Sequence, residues 1–164
     1  MAHPVYKVKS TLSLPDPHMP PGRLHHAIFV ETNENGSGII YEVTGDVTSI
    51  GGMTYESTNA PSPKESENFH SMDLLGYRNL DIPLEKWNSI LSSLPAPPQQ
   101  KVANTKKQGQ VEPFKEKISD SEYIFYEPGD EKRPLWKCTE WIEQYAIPAL
   151  WEHNLIQRDG SSQA

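Results

Sequence analysis

The sequence predicts an α+β fold in which a small antiparallel sheet packs on a cysteine-bearing helix. Two observations carry that expectation. The N-terminal half alternates apolar and polar residues with the period of half-buried strands, and the C-terminal half spaces its apolar residues by three and four, as a helix face does. At 164 residues the chain suits a single domain, 1–164, with a hydrophobic core and no need of disulfides or structural metal.

Taken in order, Tyr6, Val8, Ser10, Leu12 and Leu14 alternate with Lys7, Lys9, Thr11 and Ser13, which predicts a first strand. Residues Pro15 to Gly22 hold four prolines and are expected to be a loop. His25 to Thr32 reads as a second strand, Asn33 to Gly38 as a turn and Ile39 to Thr44 as a third strand, which together make a hairpin. Asn35-Gly36-Ser37 matches a glycosylation sequon in form, but with no export signal expected, a turn is the expected meaning. A weaker fourth strand is expected from Val47 to Glu56, with Gly51-Gly52 allowing a bulge or the close approach of another backbone. Asn59 to Glu67 again reads as loop.

From Asp81 the period becomes helical: Leu84, Trp87, Leu91 and Leu94 share a face, with Asp81 as cap and Pro83 in the first turn. Pro95 to Ile118 is rich in proline, glutamine and lysine. Its five lysines against two glutamates give a local charge of +3, so the segment 95–118 is expected to be a mobile loop, either a solvated excursion or a basic flap beside a substrate. The last element is expected from Leu135 to Asn154, with Cys138, Trp141, Ile142, Tyr145, Ala149 and Leu150 on one face and Glu140, Glu143, Gln144 and Glu152 on the other. Pro148 removes a backbone donor at a cost of about 3 kcal/mol in a helix interior, so a kink or break is expected there. Residues 157–164 are expected to be a flexible tail.

The net charge of -7 argues against sequence-independent binding to nucleic acid or to an anionic membrane, both of which depend on a basic surface. No stretch approaches the roughly 20 apolar residues of a membrane span, and no N-terminal apolar run resembles a signal peptide. With one cysteine no internal disulfide is possible, and a cytoplasmic setting is the natural expectation. A single cysteine with scattered histidines is not a zinc site, and phosphate-loop and dinucleotide fingerprints are absent, so no cofactor is expected. A small-molecule ligand, neutral or cationic, stays open as partner.

The residues that carry chemistry are the histidines that open the second strand and the cysteine in the first turn of the last helix. A thiol becomes a nucleophile when a neighbouring base or a helix N-terminus makes it a thiolate, and the base can lie far away in sequence. His25 shares a strand face with Ala27 and Phe29, and His26 shares the other with Ile28 and Val30, so only one imidazole can readily face Cys138. The bland alternatives are a buried apolar cysteine, a structural strand-end histidine, and tryptophans 87, 136, 141 and 151 as core or groove lining rather than an aromatic cage.

The order of strand-borne histidine, hairpin and helix-borne cysteine resembles the circularly permuted papain-like hydrolases and acyltransferases, which include the lecithin:retinol acyltransferase and NlpC-type relatives. In the acyltransferase branch the histidine is followed by an aromatic, a small residue and then alternating aliphatic and aromatic positions, which His25-His26-Ala27-Ile28-Phe29-Val30 resembles. Gly36-Ser37-Gly38-Ile39-Ile40-Tyr41-Glu42-Val43 is similar to the turn and strand that end in a second polar residue. Cys138-Thr139-Glu140-Trp141-Ile142 is similar to the start of the cysteine helix. The branch often has asparagine before its cysteine, where Lys137 stands here, and commonly a histidine where Glu42 stands. The resemblance implies a permuted papain-like fold and a site of Cys138, His25 and Glu42, acting on an acyl substrate through a thioester. Nothing between Asn59 and Ile118 shares in it. The chain is also similar to small fungal proteins, a likeness that implies no activity. A non-catalytic protein of the same fold, binding a small molecule or peptide, and an isopeptidase acting on protein conjugates are the other expectations.

Overall fold

The structure is a computed structural model that describes residues 2–11 and 23–159. It is a mixed α+β arrangement with two antiparallel sheets. The larger has six strands in the order β4-β3-β2-β1-β5-β9, and the smaller has three in the order β6-β7-β8.

In the large sheet, β1 (Pro4–Ser10) pairs with β2 (His25–Glu31), and β2 forms the expected hairpin with β3 (Gly38–Thr44). Within its turn Asn35 Oδ1 accepts hydrogen bonds from the Ser37 amide and hydroxyl at 3.1 and 2.6 Å, so Asn35-Gly36-Ser37 is structurally a turn. The central strand β2 is buried from His26 to Val30, with neighbours on either side and cover on both faces. In β1 the buried residues are Val5 and Val8, three apart rather than two, and the pairing with β5 (Phe69–Arg78) slips between Val5 and Tyr6. A bulge of this kind shifts the phase of a strand, which a strict alternation cannot anticipate. The expected continuation to Leu14 and the loop Pro15 to Gly22 lie outside the described residues, apart from Thr11.

Two expectations in this half are corrected, and one strand was not foreseen. The fourth strand is β4 (Thr54–Ala60) rather than Val47 to Glu56, and the stretch before it is a turn. Gly52 there has φ +71°, and a Cβ on it would stand 2.5 Å from the Pro97 carbonyl oxygen, while the next amide, Met53 N–H, donates to that oxygen at 2.8 Å. The close approach allowed by the glycine pair is therefore an approach of Pro97. The strand β5 has no counterpart in the sequence reading. Asn59 and Ala60 end β4, and Pro63–Glu65 make one short 3₁₀ turn rather than continuous loop.

Helix α1 (Leu84–Ser92) buries Trp87, Ile90 and Leu91. Asp81 does not cap it: the N-cap is Pro83, and the Asp81 amide instead donates to Asn79 Oδ1 at 3.1 Å in a preceding turn. The segment 95–118 is corrected most strongly. It holds β6 (Lys101–Asn104) and most of β7 (Gln110–Ser119), which with β8 (Glu122–Phe125) form the small sheet.

The last helical run starts at Cys138 rather than Leu135 and ends at Glu152. It consists of α2 (Cys138–Glu140), a π-helical segment Trp141–Ala146 and α3 (Ile147–Glu152). Next to Pro148, where a kink or break is expected, the run passes from π-helical to α-helical form, and the Ile147 amide bonds Ile142 O, five residues back. Pro148 thereby falls in the first turn of α3, where a missing amide proton costs little. The inward face carries Cys138, Trp141, Ile142, Ala146, Ala149 and Leu150. These join Val5, Ile28, Val30, Tyr41 and Val43 of the sheet and Trp87 and Leu91 of α1 in one core. Each such apolar side chain contributes about 1.5–3 kcal/mol relative to exposure. Trp87 stacks on Tyr41 with ring centroids 5.3 Å apart. Finally, β9 (Ile156–Gln157) pairs with β5, so the expected tail does not start at Gln157, and residues 160–164 lie outside the described part.

Candidate active site

The strand β2 and the helix start α2 meet at the histidine pair. His25 opens β2, and pairing of Ile28 with Tyr41 brings Glu42 of β3 onto the same side of the sheet as His25 and Ala27. The His25 Nε2 and Glu42 Oε1 atoms are 2.7 Å apart, and the Cys138 thiol lies close enough to the imidazole to shift its titration as a hydrogen-bonding partner would. The structure therefore brings Cys138, His25 and Glu42 together, in the order thiol, imidazole, carboxylate.

Burial works against a charged imidazole, but the hydrogen bonds to Cys138 and Glu42 outweigh it and push His25 up to about 10. Burial also works against a charged thiol. The hydrogen bond and charge of His25, a hydrogen bond from the His26 backbone and the charge of Arg23 overcome that and hold Cys138 below the ordinary thiol range. The two shifts point the same way, both favouring the proton on His25 and the negative charge on Cys138.

His26 behaves differently. Its side chain is buried, its Nδ1 has no hydrogen-bond partner, and Glu143 Oε1 stands 4.0 Å away. Burial first, and then the charge of Lys7, push it down to about 4, so it is neutral where His25 is charged. Its contribution to Cys138 comes from its backbone alone.

Two residues at the site carry no signal in the sequence reading. Arg23, just before β2, reaches both carboxylate oxygens of Glu140 through Nη2 and Thr139 Oγ1 through Nε at 3.3 Å. Glu140 in turn accepts the Lys137 amide proton at 2.7 Å and so caps the helix start. A glutamate in the first turn is a readable capping signal, but nothing in the sequence ties Arg23 to it. Gln100 clasps the chain just upstream: its amide donates to Trp136 O at 2.7 Å and accepts from Trp136 N–H at 2.8 Å.

Cys138 exposes 6 % of its surface. A cleft of about 190 Å3 bordered by Phe114, Tyr126, Arg133 and Trp136, and a groove of about 290 Å3 bordered by Tyr41, Ser57, Leu84 and Asn88, do not include it. The tryptophans divide as core (Trp87, Trp141), cleft lining (Trp136) and surface (Trp151, 38 % exposed). Among the described residues no cluster of three or more histidine, cysteine or acidic side chains is placed to hold a metal ion, and no helix is long and apolar enough to cross a membrane.

The model of a family described as a family of unknown function, DUF6540, matches residues 12–157. No curated protein and no solved structure matches the chain.

Proposed function

This chain belongs to the DUF6540 family of unknown function, and we propose that it is a cofactor-independent thiol hydrolase or acyltransferase of permuted papain-like type. The observation that carries this reading is the contact of one imidazole with both the only thiol and a carboxylate. The Cys138 thiolate attacks the carbonyl carbon of an acyl substrate, and the His25 imidazolium gives its proton to the leaving group as the tetrahedral adduct collapses to a thioester. Water or a second acceptor then loses a proton to His25, attacks the thioester and restores the thiolate. Glu42 orients the ring and stabilises its charged form. The amide of Cys138 lies in the first turn, where amide protons lack intrahelical acceptors, and it supplies a donor for the oxyanion.

A second reading has its own observation. The burial of Cys138 favours a binding protein in which the thiol is a packing residue and a groove holds the ligand.

Incubation with a panel of electrophilic acyl probes, with adducts located by mass spectrometry, separates the two. A thioester on Cys138 that turns over in the wild type and is lost in Cys138→Ala is the expected result. An unlabelled Cys138 across the panel would leave the binding reading in its place.

A further inference from the structure

We propose that Arg23 and Glu140 form a latch that sets the approach of the Cys138 helix start to the His25 strand. The inference rests on the thiol reading above and names positioning residues for it. Arg23 lies two residues before His25, and Thr139 and Glu140 immediately follow Cys138. One guanidinium therefore ties the chain that delivers the base to the turn that delivers the thiol. Its Nη2 engages both oxygens of Glu140 and its Nε reaches Thr139 Oγ1 at 3.3 Å, a two-residue grip that a single ammonium cannot reproduce. The same carboxylate accepts the Lys137 amide proton at 2.7 Å, so the group that holds Arg23 also fixes where the helix begins. The Arg23 and Glu140 side chains are about four-fifths shielded from water, at 19 % and 20 % exposure, so solvent screens this pair less than a surface pair.

The charged groups around the thiol are few. His25 and, behind it, Glu42 face it from the sheet, and Arg23 stands beside it. Glu140 and Lys137 come from its own helix start, with Lys137 Nζ 3.8 Å from Asp46. His26 presents its backbone. Neutralising Glu140 removes a negative charge near a thiolate, which by charge alone would favour the thiolate. If the latch sets geometry, the same change releases Arg23 and the reactive thiolate is lost.

The experiment is the pH dependence of Cys138 alkylation by iodoacetamide in the full chain, with circular dichroism as the check of folding. The wild type is expected to show a thiolate midpoint below the ordinary thiol value. Arg23→Met is expected to raise that midpoint by about one unit and slow alkylation at neutral pH about tenfold. Arg23→Lys restores only part of this, because it keeps the charge and loses the grip. Glu140→Gln, which still offers an oxygen to the Lys137 amide, is expected to slow alkylation as well. A Glu140→Gln variant that alkylates faster than wild type, or an Arg23→Met variant with an unchanged midpoint, overturns the latch. Should Arg23→Met fail to fold, the lysine and glutamine variants decide. A wild-type thiol with an ordinary midpoint removes the thiol reading and the latch together, whereas a low wild-type midpoint that ignores Arg23 removes the latch alone.

Discussion

In the large sheet the strand β2 buries five consecutive residues from His26 to Val30, whereas in the small sheet β7 runs for ten residues and buries none. The buried positions of the small-sheet region are polar: Gln99, Lys101 and Asn104. Gln99 Oε1 accepts from Lys117 Nζ at 2.8 Å and Tyr123 OH at 3.2 Å, and its Nε2 donates to Thr48 O at 3.3 Å. Gln100 bonds Val47 O through its amide at 2.7 Å and grips Trp136 through its side chain. The large sheet is thus held by apolar area, which is additive and writes a period into the sequence. The small one draws on particular polar pairs, each net about 0.5–1.5 kcal/mol, and on the ring contact of Phe114 with Tyr123 at 5.0 Å, which leave no period.

The largest effect is expected where the core is densest. Ile28→Ala on β2 should cost about 2–5 kcal/mol, because the residue is fully buried between sheet neighbours and helix. Urea unfolding should show a lower midpoint with an unchanged slope. A loss under 1 kcal/mol, on the order of a surface change, would mean that β2 is not the centre of the core.

A smaller, local effect is expected from Gln100→Ala, which leaves both backbone groups of Trp136 without that partner, at about 1–3 kcal/mol. Hydrogen exchange should rise in Lys101–Asn104, Gln110–Ser119 and Glu122–Phe125 while β2 and β3 stay protected. Equal loss of protection in both sheets would show that they unfold as one unit. The smallest effect on the fold is cleavage of the small sheet's first turn. Residues 105–110 are exposed and include Lys106 and Lys107, so trypsin should cut there first and leave the halves associated. A first cut between His25 and Thr44 would reverse the ranking of the two sheets.

The same contrast explains what was legible. The β2–β3 hairpin, α1 and the inward face of the last helix followed from apolar periods, and alternation on β2 put His25 and His26 on opposite faces. The strand β5 was not legible because its burial does not alternate and because Gly76 is its one buried residue. The small sheet was hidden because lysine- and proline-rich chain reads as solvated when its strength lies in glutamine side chains bonding distant backbone. At the site, His25, Glu42 and Cys138 were singled out by a family resemblance rather than by any period in the sequence. Arg23 could not be anticipated, since a guanidinium that grips Glu140 from 117 positions away leaves no local trace.

The most direct measurement compares Cys138 alkylation across pH in His25→Ala and His26→Ala. In the wild type the thiolate is lost as pH falls through the lowered pKa of Cys138, and its imidazolium partner is lost as pH rises through about 10. His26 is pushed down to about 4 and is neutral through most of that window. The expected result is that His25→Ala returns the thiol to the ordinary range near about 8.5 or above, with burial now unopposed by the imidazole, and cuts reactivity near neutrality by orders of magnitude. His26→Ala should keep the low-pH thiolate. Loss of that thiolate in His26→Ala alone, or its survival in both variants, would contradict the pairing of His25 with Cys138.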